Sequence, residues 1–247
     1  SETGRAFLPR AHRIVQEIDA TIVQLTAERQ GLSGVVRLGV PSILTEDLLH
    51  SLQPLQRANP ELRFQVLVRD TPVNPVSAGL DVVVMGGRMS DSNLIVRRLT
   101  DVTLVPAVSR AYLETVGEPE TPEQISEHPT IHFLTSPPQS TWTLHGPDGE
   151  TVTVSVNPRV ETDDGRAMLD AIVAGMGIGM ISPRLMRRNP ELVRILPSYT
   201  GFTFPVFAVY PTSGQRSTRI QATVEALQER LADVPPDQHW KTYLEAV

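Results

Sequence analysis

The sequence predicts an α/β protein of two lobes, with the chain crossing twice between them behind a long amphipathic N-terminal helix. Three observations carry this. Residues 36 to 87 alternate strand and helix patterns in a β-α-β-α-β series, which calls for a parallel sheet with crossover connections. Two apolar runs that contain proline, "LTDVTLVPAV" (99–108) and "GFTFPVFAVYP" (201–211), flank a second α/β set, as a chain needs in order to enter another lobe and return. Residues 5 to about 30 place Leu8, Ala11, Val15, Ile18, Ile22 and Leu25 at 3-4-3-4-3 spacing. That is a heptad seam, and its narrow apolar stripe suits a partner helix better than a globular core.

In chain order, Pro9 falls in the first turn of the leading helix, where its missing N–H costs little. After Gly31 and Gly34 the period changes to two, and Val36, Leu38 and Val40 form a strand that stops at Pro41-Ser42. The next helix can be capped by Ser42 or Thr45, is favoured at its positive end by Glu46 and Asp47, and should bury Leu48, Leu49, Leu52 and Leu55 before Asn59-Pro60 ends it. Leu62, Phe64, Val66 and Val68 alternate as a second strand, Pro72 to Gly79 form a short helix or loop, and "LDVVVMGG" (80–87) reads as a fully buried third strand.

The 99–108 strand is expected to be interrupted at Pro106, because proline in a strand marks an edge or a bend. Helical turns near 110–116 and 121–127, a strand at 130–134 and a hairpin at 142–156 follow. In "ETDDGRAMLDAIVAGMGIGMIS" (161–182) the glycines at 175, 177 and 179 resemble a phosphate loop, but such a loop needs a strand before it and a helix after it. Here the order is reversed: Thr162, Asp163 and Asp164 start a helix, the glycines end it, and Ile178, Met180 and Ile181 enter a strand. The 201–211 strand is expected to break at Pro205, and 217–232 presents Ile220, Val224, Leu227 and Leu231 on one face to cover the first lobe.

The chain has 247 residues, 40% hydrophobic and 20% charged, enough for one large or two small cores. Its net charge of -6 lacks the basic footprint that duplex binding through phosphates demands. Zero cysteines leave neither disulfides nor thiolate metal sites and fit a reducing cytoplasm, which is the expected location. With no apolar h-region and no run of the roughly 20 residues a membrane helix requires, no membrane association is expected. No nucleophile elbow and no H-E-x-x-H occur, and the six histidines (12, 50, 128, 132, 145 and 239) lack metal-ligand spacing. The expectation is therefore a non-enzyme with no catalytic residue, no metal and no cofactor. Trp142 reads as hairpin packing, since base-stacking platforms come with basic neighbours.

Two lobes joined by crossing strands leave a cleft at the carboxyl ends of the strands, and there Ser42 offers helix-start donors to a small anion. Asp163 and Asp164 would repel one, so an anion is expected at Ser42.

"ETGRAFLPRAHRIVQEID", "LSGVVRLGVPS", "LLHSLQPLQRANPELRFQV", "GLDVVVMGGRMSDSNLIVRRL", "YLETVGEPETPEQISEHPTI" and "AMLDAIVAGMGIGMISPRLM" together resemble the linker helix and effector-binding domain of LysR-type transcriptional regulators. The match is ordered and spans nearly the whole chain. It implies two Rossmann-like subdomains of the type 2 periplasmic-binding-protein kind: a linker or dimerisation helix at 1–31, subdomain 1 at 32–105 and 206–247, and subdomain 2 at 106–205. It further implies a small-molecule effector such as an organic acid or aromatic, a homo-oligomer (dimer or tetramer), and promoter DNA bound only through a winged helix-turn-helix that would precede "SETG" and is missing here.

Carried onto matching positions, the family's effector site falls at Ser42, Thr71, Met85, Gly86, Pro106, Thr135, Thr162, Asp163 and Phe204. Ser42 is either ligand donor or plain cap, Thr162 and Asp163 either caps or contacts, and Met85 and Phe204 either cleft or core. Gly87 stands where many relatives carry an arginine. The alternative function on this fold is a periplasmic-type solute-binding protein, which has no use for a dimerising seam.

Overall fold

The computed structural model describes residues 11, 14–15, 32–87, 94–134 and 140–232. Of the heptad seam only Ala11 and Val15 are among them, both helical, with Val15 55% exposed. Leu8, Ile18, Ile22 and Leu25 lie outside the described residues. The chain forms two compact units, one from the residues up to Thr100 and again from Pro205, the other from Asp101–Phe204.

The first unit is a five-stranded sheet. Strands β1 (Gly34–Val40), β2 (Leu62–Val68) and β3 (Val82–Gly86) run parallel, and the order is completed by β12 (Thr203–Pro211) and β4 (Leu94–Thr103) as β2-β1-β3-β12-β4. Val36, Leu38 and Val40 of β1 are fully buried in alternation with an exposed Arg37, whereas the consecutive Val82, Val83 and Val84 of β3 are at most 2% exposed, the continuous apolar signature of a strand covered on both faces. Helix α1 (Thr45–Ala58) packs against the C-terminal helix α6 (Thr218–Ala232), whose Ile220, Val224, Leu227 and Leu231 are all buried as their spacing predicts. Burying each such side chain contributes about 1.5–3 kcal/mol.

The stripe on α1 departs from expectation. Leu49 is 52% exposed, and Asp47 and Ser51 are buried beside Leu48 and Leu52. At 100° per residue, 47, 48, 51, 52 and 55 share a face and 49 turns away from it. The N-cap position of α1 falls on Leu44, which has no side chain able to cap, rather than on Ser42 or Thr45, and a single 3-10 turn at Ser42–Leu44 leads into the helix. Helix α2 (Pro75–Ala78) is by contrast fully punctuated. The Asn74 side chain accepts from Val76 and Ser77 N–H, Pro75 opens the helix, and Gly79 closes it at φ 67°.

Both prolines expected to break strands lie inside them. β12 runs unbroken through Pro205, whose carbonyl accepts from Gly87 N–H at 3.1 Å. The interruption expected at Pro106 falls earlier, at Leu104, which separates β4 from β5 (Val105–Ser109). Pro106 pairs with Met180, and on the other side its carbonyl accepts from Ile195 N–H at 3.1 Å. The ladder with β11 (Leu192–Arg194) stops one residue short of it, at Ala107 opposite Arg194. A proline is tolerated in an inner strand when the ladder needs only its carbonyl.

The second unit has a sheet of order β11-β5-β10-β6-β9, with β6 (Pro129–Phe133) parallel to both β9 (Asn157–Thr162) and β10 (Ile178–Ile181). A separate hairpin, β7 (Thr141–His145) and β8 (Thr151–Ser155), buries Trp142, Leu144 and Val154 with Ile125. The helices of this unit are α3 (Arg110–Val116), α4 (Gly165–Val173) and α5 (Pro183–Arg188). Helix α4 ends in a Schellman motif: Met176 N–H reaches Ala171 O at 3.1 Å and Gly175 N–H reaches Ile172 O at 3.0 Å, with Gly175 at φ 76°. A β-carbon on Gly177 would lie 2.4 Å from Pro129 O, at φ 154°. The glycines therefore stop a helix and let a strand pass close, as their order in the sequence implies. Where the chain enters and leaves this unit, the Thr103 and Thr203 hydroxyls meet at 2.8 Å across 100 residues of sequence.

Candidate functional site

The carboxyl ends of β1, β2 and β3 share one edge of the first sheet, because β1 and β2 are flush from Gly34 opposite Leu62 to Val40 opposite Val68. Pro41 ends β1, and the next residue, Ser42, turns into the helix that leads to α1. Its backbone N–H and its Oγ both donate to Asp70 Oδ1, each at 3.0 Å. Asp70 stands two residues past β2, as Ser42 stands two past β1, so the strand register itself brings them face to face. Both bonds are charge-assisted, and the carboxylate sits at the positive end of the helical segment. The donors expected to meet an external anion thus hold an internal one.

Thr71 follows Asp70 and is exposed at the same edge. Met85 is 4% exposed and packs with Leu80, Val83 and Val209, so its side chain belongs to the core. Gly86 ends β3 opposite Val206. Beside it Gly87 takes φ 89°, with nothing among the described residues within 4 Å of where a β-carbon would be. No described residue fills the position where the resemblance noted an arginine.

In the second unit, Pro106 is buried within β5, opposite Met180. Thr135 lies outside the described residues. Thr162 closes β9 and its Oγ1 accepts from Asp164 N–H at 3.1 Å. Asp164, rather than Asp163, caps α4: its Oδ1 accepts from Arg166 N–H at 2.8 Å and Ala167 N–H at 3.0 Å. Asp163 is left exposed between them. Phe204 is half-buried, its ring 5.6 Å from that of Phe202 at a 33° tilt.

Sequence reasoning missed Asp70. The signal available was the offset of 28 between equivalent strand ends, which carries 40 onto 68 and 42 onto 70. His132, grouped in sequence with the other histidines that lack metal-ligand spacing, is buried, stacks on Trp142 at 4.9 Å and bonds Thr130 Oγ1 through Nε2 at 2.9 Å. Burial lowers the His132 pKa, and the nearby Glu161 charge partly opposes this. Among the described residues no group of three or more His, Asp or Glu is placed to hold a metal, and no helix is long and apolar enough to cross a membrane.

Two parallel-stranded α/β units, entered and left through strands, with a hydroxyl and a carboxylate at the strand ends, describe a ligand-binding fold. The family profile of the LysR substrate binding domain matches residues 29–232. The chain belongs to this family. Among relatives of the LysR substrate binding domain, the HTH-type transcriptional activator AaeR of Escherichia coli K12 is 26% identical over 239 residues, covering 95% of this chain and 77% of that protein. The HTH-type transcriptional repressor PA14_22550 of Pseudomonas aeruginosa is 25% identical over 244 residues, covering 95% and 76%.

Among solved structures, the regulatory domain of CrgA from Neisseria meningitidis superposes with a TM-score of 0.72 at 22% identity, covering 81% of this chain and 100% of that one. Full-length AphB of Vibrio cholerae gives 0.68 at 19% identity, covering 94% and 80%. These two likenesses establish the fold, that of LysR-type regulatory domains. The LysR substrate binding domain is thus the effector-binding part of a transcriptional regulator, and the solute-receptor alternative is set aside.

Proposed function

We propose that this chain senses a small organic acid, aliphatic or aromatic, at the carboxyl edge of its first sheet, and that the acid competes with Asp70 for Ser42. One observation carries the reading: the Ser42 N–H and Oγ converge on a single carboxylate oxygen, each at 3.0 Å. A site that already accommodates a side-chain carboxylate has the donors an acidic ligand needs, and Asp70 is half-buried, free of the constraints of a deep core group. In this reading Thr71 and Gly86 line the same edge of the first unit, and Gly87, which has no side chain, leaves room there for the body of the ligand.

Sensing then follows from differential affinity. A ligand that replaces Asp70 favours whichever arrangement of the chain leaves Asp70 released, and shifts the population by that difference alone. The heptad stripe at 8–25 supports assembly as a dimer or a dimer of dimers. The acidic charge of -6 supports a segment that senses and leaves promoter contacts to other parts of the regulator, acting in the cytoplasm and without catalysis. The relatives include an activator and a repressor at similar identity, so likeness to them assigns this chain neither sign of regulation.

The test is calorimetric titration of wild type, Ser42→Ala and Asp70→Asn with a panel of aliphatic and aromatic acids. The reading expects an acid that binds wild type to bind Asp70→Asn more tightly and Ser42→Ala at least tenfold more weakly. Equal affinity of wild type and Ser42→Ala for every acid that binds would defeat it.

A further inference from the structure

The opposite edge of the first sheet carries a small cavity with a surplus of hydrogen-bond donors. β1 begins there at Gly34, β3 begins just after Asp81, β12 ends at Pro211, and α6 begins at Thr218. Asp81, Ser213, Gly214, Ser217 and Arg219 contribute to its walls, and it offers about 20 Å³. Ser217 is 4% exposed and Arg219 9% exposed. Neither Ser217 Oγ nor Arg219 Nε has a hydrogen-bond partner among the described residues. The distal end of Arg219 lies under Gly34, where a β-carbon would stand 3.4 Å from Nη1, so the side chain spans from α6 to the start of β1.

A buried guanidinium donor without an acceptor is costly, and so is a buried hydroxyl with no partner. The first turn of α6 adds N–H groups with no acceptor inside the helix and the positive end of its dipole. Asp81 is the sole carboxylate among the lining residues, and its Oδ2 accepts from Arg37 N–H at 2.7 Å. The cavity thus presents two buried side-chain donors and a helix start, and its volume admits one water-sized sphere. So small a recess suits a monoatomic ion better than a carboxylate, sulfate or phosphate.

We propose that this cavity binds a monoatomic monovalent anion, chloride in solution, held by Ser217 Oγ, Arg219 Nε and the first turn of α6. The nearby Asp81 charge restricts it to a singly charged occupant. The ion ties the start of α6 to the start of β1, three residues after Gly31, where the N-terminal helix was expected to end. Because it binds the folded state alone, chloride stabilises the first unit by mass action.

The purified chain is to be unfolded thermally at fixed ionic strength while sodium gluconate is exchanged for chloride or bromide, alongside Ser217→Ala and Arg219→Gln, and crystals grown in bromide are to be searched for anomalous scattering. The proposal expects a melting temperature that rises with either halide in wild type, a rise at least halved in both variants, and a bromide peak within bonding distance of Ser217 Oγ and Arg219 Nε. A water in the cavity in place of bromide overturns it. So does a bromide peak with no halide-dependent stabilisation, which marks an adventitious ion only, or an equal rise in wild type and Ser217→Ala. If Arg219→Gln does not fold, Ser217→Ala and the bromide crystal decide between these outcomes.

Discussion

The two units use the same three ingredients, a parallel strand end, a hydroxyl and an aspartate before a helix, to opposite effect. In the second unit they are neighbours in sequence: Thr162 bonds Asp164, and Asp164 caps α4, all within the six residues from Thr162 to Ala167. In the first unit Ser42 and Asp70 are 28 residues apart, and a backbone N–H to carboxylate bond, like those that Asp164 accepts, joins two strand ends. A local cap is re-formed whenever its helix forms, and exchanging it for a ligand melts the helix start. A tertiary link between strand ends is replaceable at less local cost, because the N-cap residue of α1, Leu44, makes no side-chain bond that the exchange would break. The comparison teaches that ligand-responsive chemistry belongs where the partner of a helix start comes from a distant strand.

Four perturbations break or sharpen this contrast. The largest effect is expected in the second unit from Gly177→Val, which drives a β-carbon toward Pro129 O and strains a positive-φ position. A loss of about 3 kcal/mol or more should appear in urea unfolding, and a loss below about 1 kcal/mol would mean that the turn yields. Next, Asp70→Ala removes the acceptor of two charge-assisted bonds and should cost about 1.5–3 kcal/mol by the same measurement, while raising affinity for an acidic ligand. If stability and affinity both fell, Asp70 would be a ligand contact rather than a competitor.

Asp164→Ala should cost about 1 kcal/mol, as cap removal does, and leave acid binding unaltered. A change in ligand affinity comparable with that of Ser42→Ala would erase the distinction between the units. The smallest effect is one of pH. His132 and His145, whose pKa values burial holds below the ordinary 6.5, both lie in the second unit. Their depressed values mean that the unfolded chain takes up protons which the folded unit refuses. Stability is therefore full above about pH 6.5 and declines as pH falls below it. Melting curves at pH 7.5 and 5.5 should show the decline, and His132→Gln should reduce it. An equal decline in His132→Gln would remove that histidine from the account.

Much of the architecture was legible because hydrophobic period alone encodes it. The face of α6, the buried run of β3 and the hairpin around Trp142 follow directly from spacing. What was not legible depended on pairing. Pro106 and Pro205 looked like breaks, since a proline's missing donor is visible in sequence, whereas the neighbouring strand's demand for a carbonyl alone is not. Leu49 counted as core by identity, although the α1 stripe takes in Asp47 and Ser51 instead. Ser42 was legible as a helix-start donor, but its partner required the β1–β2 register. The choice of Asp164 over Asp163 as cap rests on one residue of phase, below what composition resolves.

The Thr103–Thr203 contact has a topological consequence. β4 and β12 meet there as antiparallel neighbours, since Leu104 N–H reaches Phe202 O and Gly201 N–H reaches Leu104 O. The 99 residues from Leu104 to Phe202 are therefore the loop of one greatly enlarged β-hairpin. A two-residue turn in place of the insert would leave the stem closed, which makes the second unit an excisable cassette on a host that supplies the stem.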